Sequence, residues 1–203
     1  MNEREQRQVE RLTFFSDAVF GIAITLLVID LRVPESAGIH DNATLVAALL
    51  HLTTHLISFV VSFFAIGAFW VAHHEALQWL RAVNRRLVWT NLRFLAAIAF
   101  LPFPTALMSA HTDVPAAQWF YGASLTLAAV LQFQLWRVAF GADAILDADT
   151  PREEVRRLRR GIWAVPLLAL IGGLLAVRWP TLAPLAYMTI PLARRLLRAT
   201  VRS

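Results

Sequence analysis

Arg11, Ser16, Asp17, Thr25 and Asp30 stand in a stretch, residues 11–30, that is otherwise largely apolar. Ionisable side chains at membrane depth are costly and seldom face lipid, so this stretch is expected to face protein or water. At about 100° per residue, Ile22, Leu26 and Ile29 fall on one helical face, and Thr25 lies about 60° from Ile22. Several copies around one axis would stack these residues into apolar rings with a hydroxyl ring among them. Apolar constrictions can gate by dewetting, and oxygen atoms can partly replace the hydration of an ion. By spacing alone the same stripe serves ordinary packing, because nearly every position in the run is apolar.

A second group is polar. Ser16 and Asp17 sit about one turn inside the run, with Arg11 about a turn and a half earlier. They read as a buried network with His73, His74 and Asn91, which lie toward the same side of the membrane; satisfied polar groups of this kind can hold a unique register. The competing reading of Ser-Asp is a helix cap, and Arg11 is close enough to the interface to snorkel. His51 and His55 have the i, i+4 spacing that can place two imidazoles on one metal, but no third ligand matches them, so they read as structural and no metal site is expected. His73-His74-Glu75 reads as a loop cluster. No nucleophile–base signature or Gly-rich phosphate loop is present, so an enzyme is not expected. The chain has no cysteine, which excludes disulfides, thiolate metal sites and thiol catalysis.

The elements that must position these residues are membrane helices. Of 203 residues, 58% are hydrophobic and 16% charged, where soluble domains carry about a quarter charged. The fold class is therefore an all-α integral membrane protein in a lipid bilayer, a single domain over 1–203. Six runs can be drawn, at 12–33, 43–72, 87–110, 116–140, 161–177 and 180–197. The polar linker 141–160 carries Thr150-Pro151-Arg-Glu-Glu, the pattern of an interfacial helix start. Every basic residue is arginine, and fifteen of them lie on one set of loops and tails against Arg32 and Arg178 on the other. That bias predicts six spans with both termini cytoplasmic, and it explains the net charge of +5 without nucleic acid. No signal-peptide cleavage pattern follows the charged lead-in, so the first run is expected to be retained. Trp79, Trp89, Trp119, Trp163 and Trp179 lie near run ends and fit interfacial belts, whereas Trp70 and Trp136 fit packing.

Several motifs together carry a resemblance. Arg11-x-x-x-Phe15-Ser16-Asp17 continues into Ala-Val-Phe-Gly-Ile-Ala-Ile-Thr-Leu-Leu. It is followed by Ser58-Phe59, Gly67-Ala-Phe-Trp70, His73-His74, Trp89-Thr-Asn91-Leu and Leu101-Pro-Phe-Pro-Thr105. From about Arg11 to Leu107 the chain resembles the transmembrane protein 175 family, potassium channels of animal endolysosomes and their prokaryotic relatives. The resemblance implies six helices in a single repeat of the prokaryotic, homotetrameric form, in a bacterial inner membrane, with potassium as the permeant ion and no cofactor. It implies a pore lined by the first helices, constricted at Ile22, Leu26 and Ile29, with Thr25 tied to ion preference. It also implies a polar network of Arg11, Ser16, Asp17, His73 or His74, and Asn91. The Thr-Val-Gly-Tyr-Gly filter of other potassium channels is absent, so selectivity needs another device. Gly21 and Arg93 depart from the family pattern. Asp30 would form a carboxylate ring at the outer mouth, unless Arg32 pairs with it. A proton-permeable or proton-coupled transporter and a non-conducting scaffold are the alternatives, the first because Asp17, His73 and His74 can titrate.

Overall fold

The computed structural model describes residues 3–33, 38–141, 153, 155–156, 163–179, 183–190, 192–193 and 196. These residues form helices and connecting turns, without a strand among them. The helices are α1 (Glu3–Leu26), which ends in a 3-10 turn (Leu27–Asp30), α2 (Asn42–His51), α3 (Thr53–Leu77) and α4 (Arg85–Phe100). They continue as α5 (Pro102–Ala110), α6 (Pro115–Ala139), α7 (Ala164–Arg178) and α8 (Ala183–Met188). Three segments are long and apolar enough to cross a membrane: Glu3–Asp30, Thr53–Leu77 and Arg85–Ala110. The molecule is a helical membrane protein.

The charged lead-in is not a separate element. It is the first two turns of α1, whose opening turn carries Glu3 and Glu5, where acids suit the helix dipole. The run expected over 43–72 is divided at Leu52 and extends to Leu77. Asp41 and Thr44 close a capping box at the start of α2. At the break, the Leu52 amide bonds back to Leu49 O, and Thr53 Oγ1 donates to Leu50 O at 2.6 Å. The run expected over 87–110 is also divided. Pro102 lacks the N–H that would continue α4, so Leu101 ends one helix and α5 restarts with proline in its first turn. Asn84 caps α4 by accepting from the Leu87 amide at 2.8 Å. The proposed interfacial start at Thr150-Pro151 and most of the linker lie outside the described residues, as do parts of the run at 180–197.

The core is assembled around α3 and α6. α1 packs on α3 and α4, α6 packs on α4 and α7, and α8 closes against α3 and α7. Phe20, Phe69, Phe94, Ile98, Leu125 and Trp136 are fully buried there. Close approach of α6, α7 and α8 depends on small residues. A Cβ on Gly172 would stand 2.6 Å from Tyr187 Cζ, and one on Gly173 would stand 2.6 Å from Trp119 Cζ3.

Candidate functional site

α1 has two unlike faces. Leu12, Ser16, Phe20, Ala23 and Leu27 are buried against the bundle. Ile22, Leu26 and Ile29 are 60%, 41% and 50% exposed, which leaves them uncovered by their own subunit. The two stripes are separated by about 110° around the helix. Thr25 is exposed on the uncovered face, and its hydroxyl donates to Ile22 O at 2.9 Å. That bond commits the proton and leaves the oxygen lone pairs as the free side of the group. Ile29 belongs to the 3-10 turn rather than to the α-helix proper.

The buried polar residues form a directed chain across three helices. His73 on α3 is 2.8 Å from Asn91 Oδ1 through Nε2, and a carbonyl oxygen only accepts, so Nε2 carries the proton. Asn91 Nδ2 on α4 donates to Ser16 Oγ on α1 at 3.0 Å, and Ser16 donates to Leu12 O at 2.8 Å. All three side chains are buried. The His73 ring stacks on Phe94 at 5.4 Å between centroids and tilts against Phe20 at 5.6 Å. The backbone here corrects the sequence reading, because His73-His74-Glu75 lies on α3 rather than in a loop. Hydropathy drops at Ala72, but the helix continues because Asn91 and two rings give the imidazole a buried environment.

The other expected members take different places. Asp17 Oδ1 accepts from Trp70 Nε1 at 2.8 Å, so α1 is tied directly to α3 here and to α4 through Ser16. His74 is exposed and packs on the Trp70 ring at 5.6 Å. Arg11 is exposed and lines an open concavity with Phe15, Asn84 and Val88. Trp70 is the partner that the sequence reading left to packing. A usable signal was its place on α3, three residues before His73, which puts it near the same face.

At the far end of α1, Asp30 Oδ2 accepts from Ser109 Oγ on α5 at 2.6 Å. Arg32 instead donates through Nε to Ile29 O at 2.9 Å. Among the described residues no ion pair joins Asp30 to Arg32. A further buried cluster has no counterpart in the sequence reading. Ser62 Oγ lies 2.9 Å from Tyr121 Oη and 2.8 Å from Thr105 Oγ1, which links α3, α6 and α5. Tyr187 Oη donates to Gln118 O at 3.1 Å, adding α8. His51 ends α2 and His55 lies on α3 beyond the Leu52 break. No group of three metal-ligating side chains occurs among the described residues.

A bundle of apolar helices tied by buried polar side chains defines a helical membrane protein. Residues 11–102 match the family described as "Endosomal/lysosomal potassium channel TMEM175". A protein named a potassium channel, from Chamaesiphon minutus, is 34% identical over 172 residues, covering 83% of this chain and 84% of that protein. Another so named, from Streptomyces collinus, is 35% identical over 165 residues, covering 77% and 79%. A crystal structure of a lysosomal potassium-selective channel TMEM175 homolog from Chamaesiphon minutus superposes with a TM-score of 0.79 and 28% identity. That superposition covers 95% of this chain and 98% of the other. The chain belongs to the TMEM175 family, a family of channels rather than enzymes.

Proposed function

We propose that the chain is a potassium-preferring cation channel of a bacterial inner membrane. It has six spans, with both termini in the cytoplasm, and works as a homotetramer whose four α1 helices surround the ion path. The observation that carries this reading is the uncovered stripe of α1. Ile22, Leu26 and Ile29 are exposed in the single subunit although they belong to the most apolar of its three long candidate spans. A fourfold arrangement supplies the cover they lack, as opposing copies of themselves. Their rings would form the constriction, and Thr25, with its lone pairs free, would offer oxygen to a partly dehydrated cation. The names of the two bacterial relatives support potassium as the permeant ion. The buried chain from His73 to Leu12 and the Trp70–Asp17 bond hold α1 in the rotation that this arrangement needs.

Reconstitution in liposomes under opposed potassium and sodium gradients tests the reading. Passive current reversing near the potassium equilibrium potential is expected, and Ile22→Asn should raise conductance several-fold by wetting the constriction. Intact tetramers that pass no current at any voltage or pH would leave a scaffold. A fixed ratio of protons to transported ion would instead make the protein a coupled transporter.

A further inference from the structure

Three arginines outside the pore and its ties converge on one groove. Arg86, Thr90 and Arg93 recur on α4 at i, i+4 and i+7, and Gln134 and Arg137 recur on α6 at i and i+3. The two helices pack together, and these residues, with Asn84, line an open groove of about 560 Å³. No carboxylate lines it among the described residues, and neither Arg86, Arg93 nor Arg137 makes an ion pair among them. Arg93 stands about 10 Å further along α4 than Arg86. A charge that far into an apolar helix needs a partner or a route to the headgroups. Arg86 is in the first turn of α4, where free amides and the helix dipole add positive potential.

We propose that this groove binds a phosphate group, held by the guanidinium groups of Arg86, Arg93 and Arg137. Guanidinium forks match phosphate oxygens two at a time, and Gln134 can add an amide donor. The groove opens where α4 begins and α6 ends, the side rich in arginine, so an anionic lipid headgroup is one source and a soluble phosphate is the other. The site is separate from the ion path and does not depend on the channel reading.

The test uses the full chain in nanodiscs. One arm measures phosphatidylglycerol retained by native mass spectrometry from phosphatidylcholine doped with phosphatidylglycerol. A second titrates inorganic pyrophosphate onto protein in pure phosphatidylcholine and follows thermal stability. Arg93→Gln and Arg137→Gln should each weaken binding by roughly tenfold, the scale of one lost hydrogen bond to a charged group. Arg85→Gln removes the same charge one residue away, from a side chain that does not line the groove, and should change nothing. Loss in the first arm assigns the site to lipid, and loss in the second alone assigns it to soluble phosphate. Unchanged binding in both arms overturns the proposal. Equal loss in Arg85→Gln also overturns it, because diffuse surface charge then suffices. Arg93→Lys keeps the charge without the fork and should bind at an intermediate level, which preserves the comparison if Arg93→Gln fails to assemble.

Discussion

Asn91 uses both ends of its amide, donating to Ser16 and accepting from His73. Replacing it with Leu fills the space but strands the buried His73 Nε2–H and removes the bond that Ser16 accepts. The expected cost is about 1–3 kcal/mol, read as a fall in the unfolding midpoint in detergent. Ser16→Ala should cost less, near the roughly 0.6 kcal/mol typical of a bond between membrane helices. A double-mutant cycle of the two should show coupling, because both changes cut one bond. Asp41 behaves differently, since it is exposed at the head of α2. Backbone and side-chain hydrogen bonds from Thr44 hold its carboxyl below its ordinary value. A lowered folded value means that the contribution of the cap is present above the unfolded value. It is lost as pH falls through the lowered one. The protection factor of the Thr44 amide, its exchange rate set against the intrinsic rate at each pH, should fall in that acid window and stay level from there to neutrality. Asp30→Asn should reduce single-channel conductance most at low ionic strength, where a carboxylate ring has the longest reach.

At the scale of elements, the glycines of α7 set how closely α6 and α8 approach. Gly172→Ala places a methyl group inside the Tyr187 ring and must push it away from Gln118 O. A loss of about 1–3 kcal/mol is expected, read as reduced thermal stability with α1 unaffected. The sequence made the apolar runs plain, because an uncharged apolar stretch of about 18 residues or more matches the thickness of a bilayer and little else. It grouped Arg11, Ser16, Asp17, His73, His74 and Asn91, since polar side chains in apolar runs need partners; Ser16, His73 and Asn91 meet, whereas Asp17 pairs with Trp70 and Arg11 and His74 are exposed. Pro102 marks the division of run three, but nothing reveals where run two is divided. The break at Leu52 has no proline or glycine, and the end of α3 lies among histidines that look like loop. Tyr121, Ser62 and Thr105 were equally hidden. Each is a common residue alone, and only the packing of α3, α5 and α6 makes them a cluster.

For the whole molecule, the uncovered apolar surface is not confined to α1. Leu127 and Val130 on α6 and Leu167, Leu170 and Leu174 on α7 are exposed too, as a lipid-facing surface requires. What sets α1 apart is that its exposed stripe carries a hydroxyl and ends beside a carboxylate, while its other face is pinned by buried hydrogen bonds. Light scattering of the purified protein, corrected for detergent, should therefore give four times the 22.8 kDa of one chain. A monomer or dimer would leave the α1 stripe without its proposed cover.

The 3-10 turn after Leu26 changes how that stripe is laid out along the membrane normal. An α-helix advances about 100° per residue and a 3-10 helix about 120°, so three residues of the tighter winding complete one revolution. Ile29 then sits directly above Leu26 instead of trailing it by about 60°, and the rise per residue grows from about 1.5 to about 2.0 Å. Seen down the axis, the two side chains eclipse. In a symmetric assembly they would make a straight-walled column about 6 Å tall, where continuous α-helix would make a spiral step.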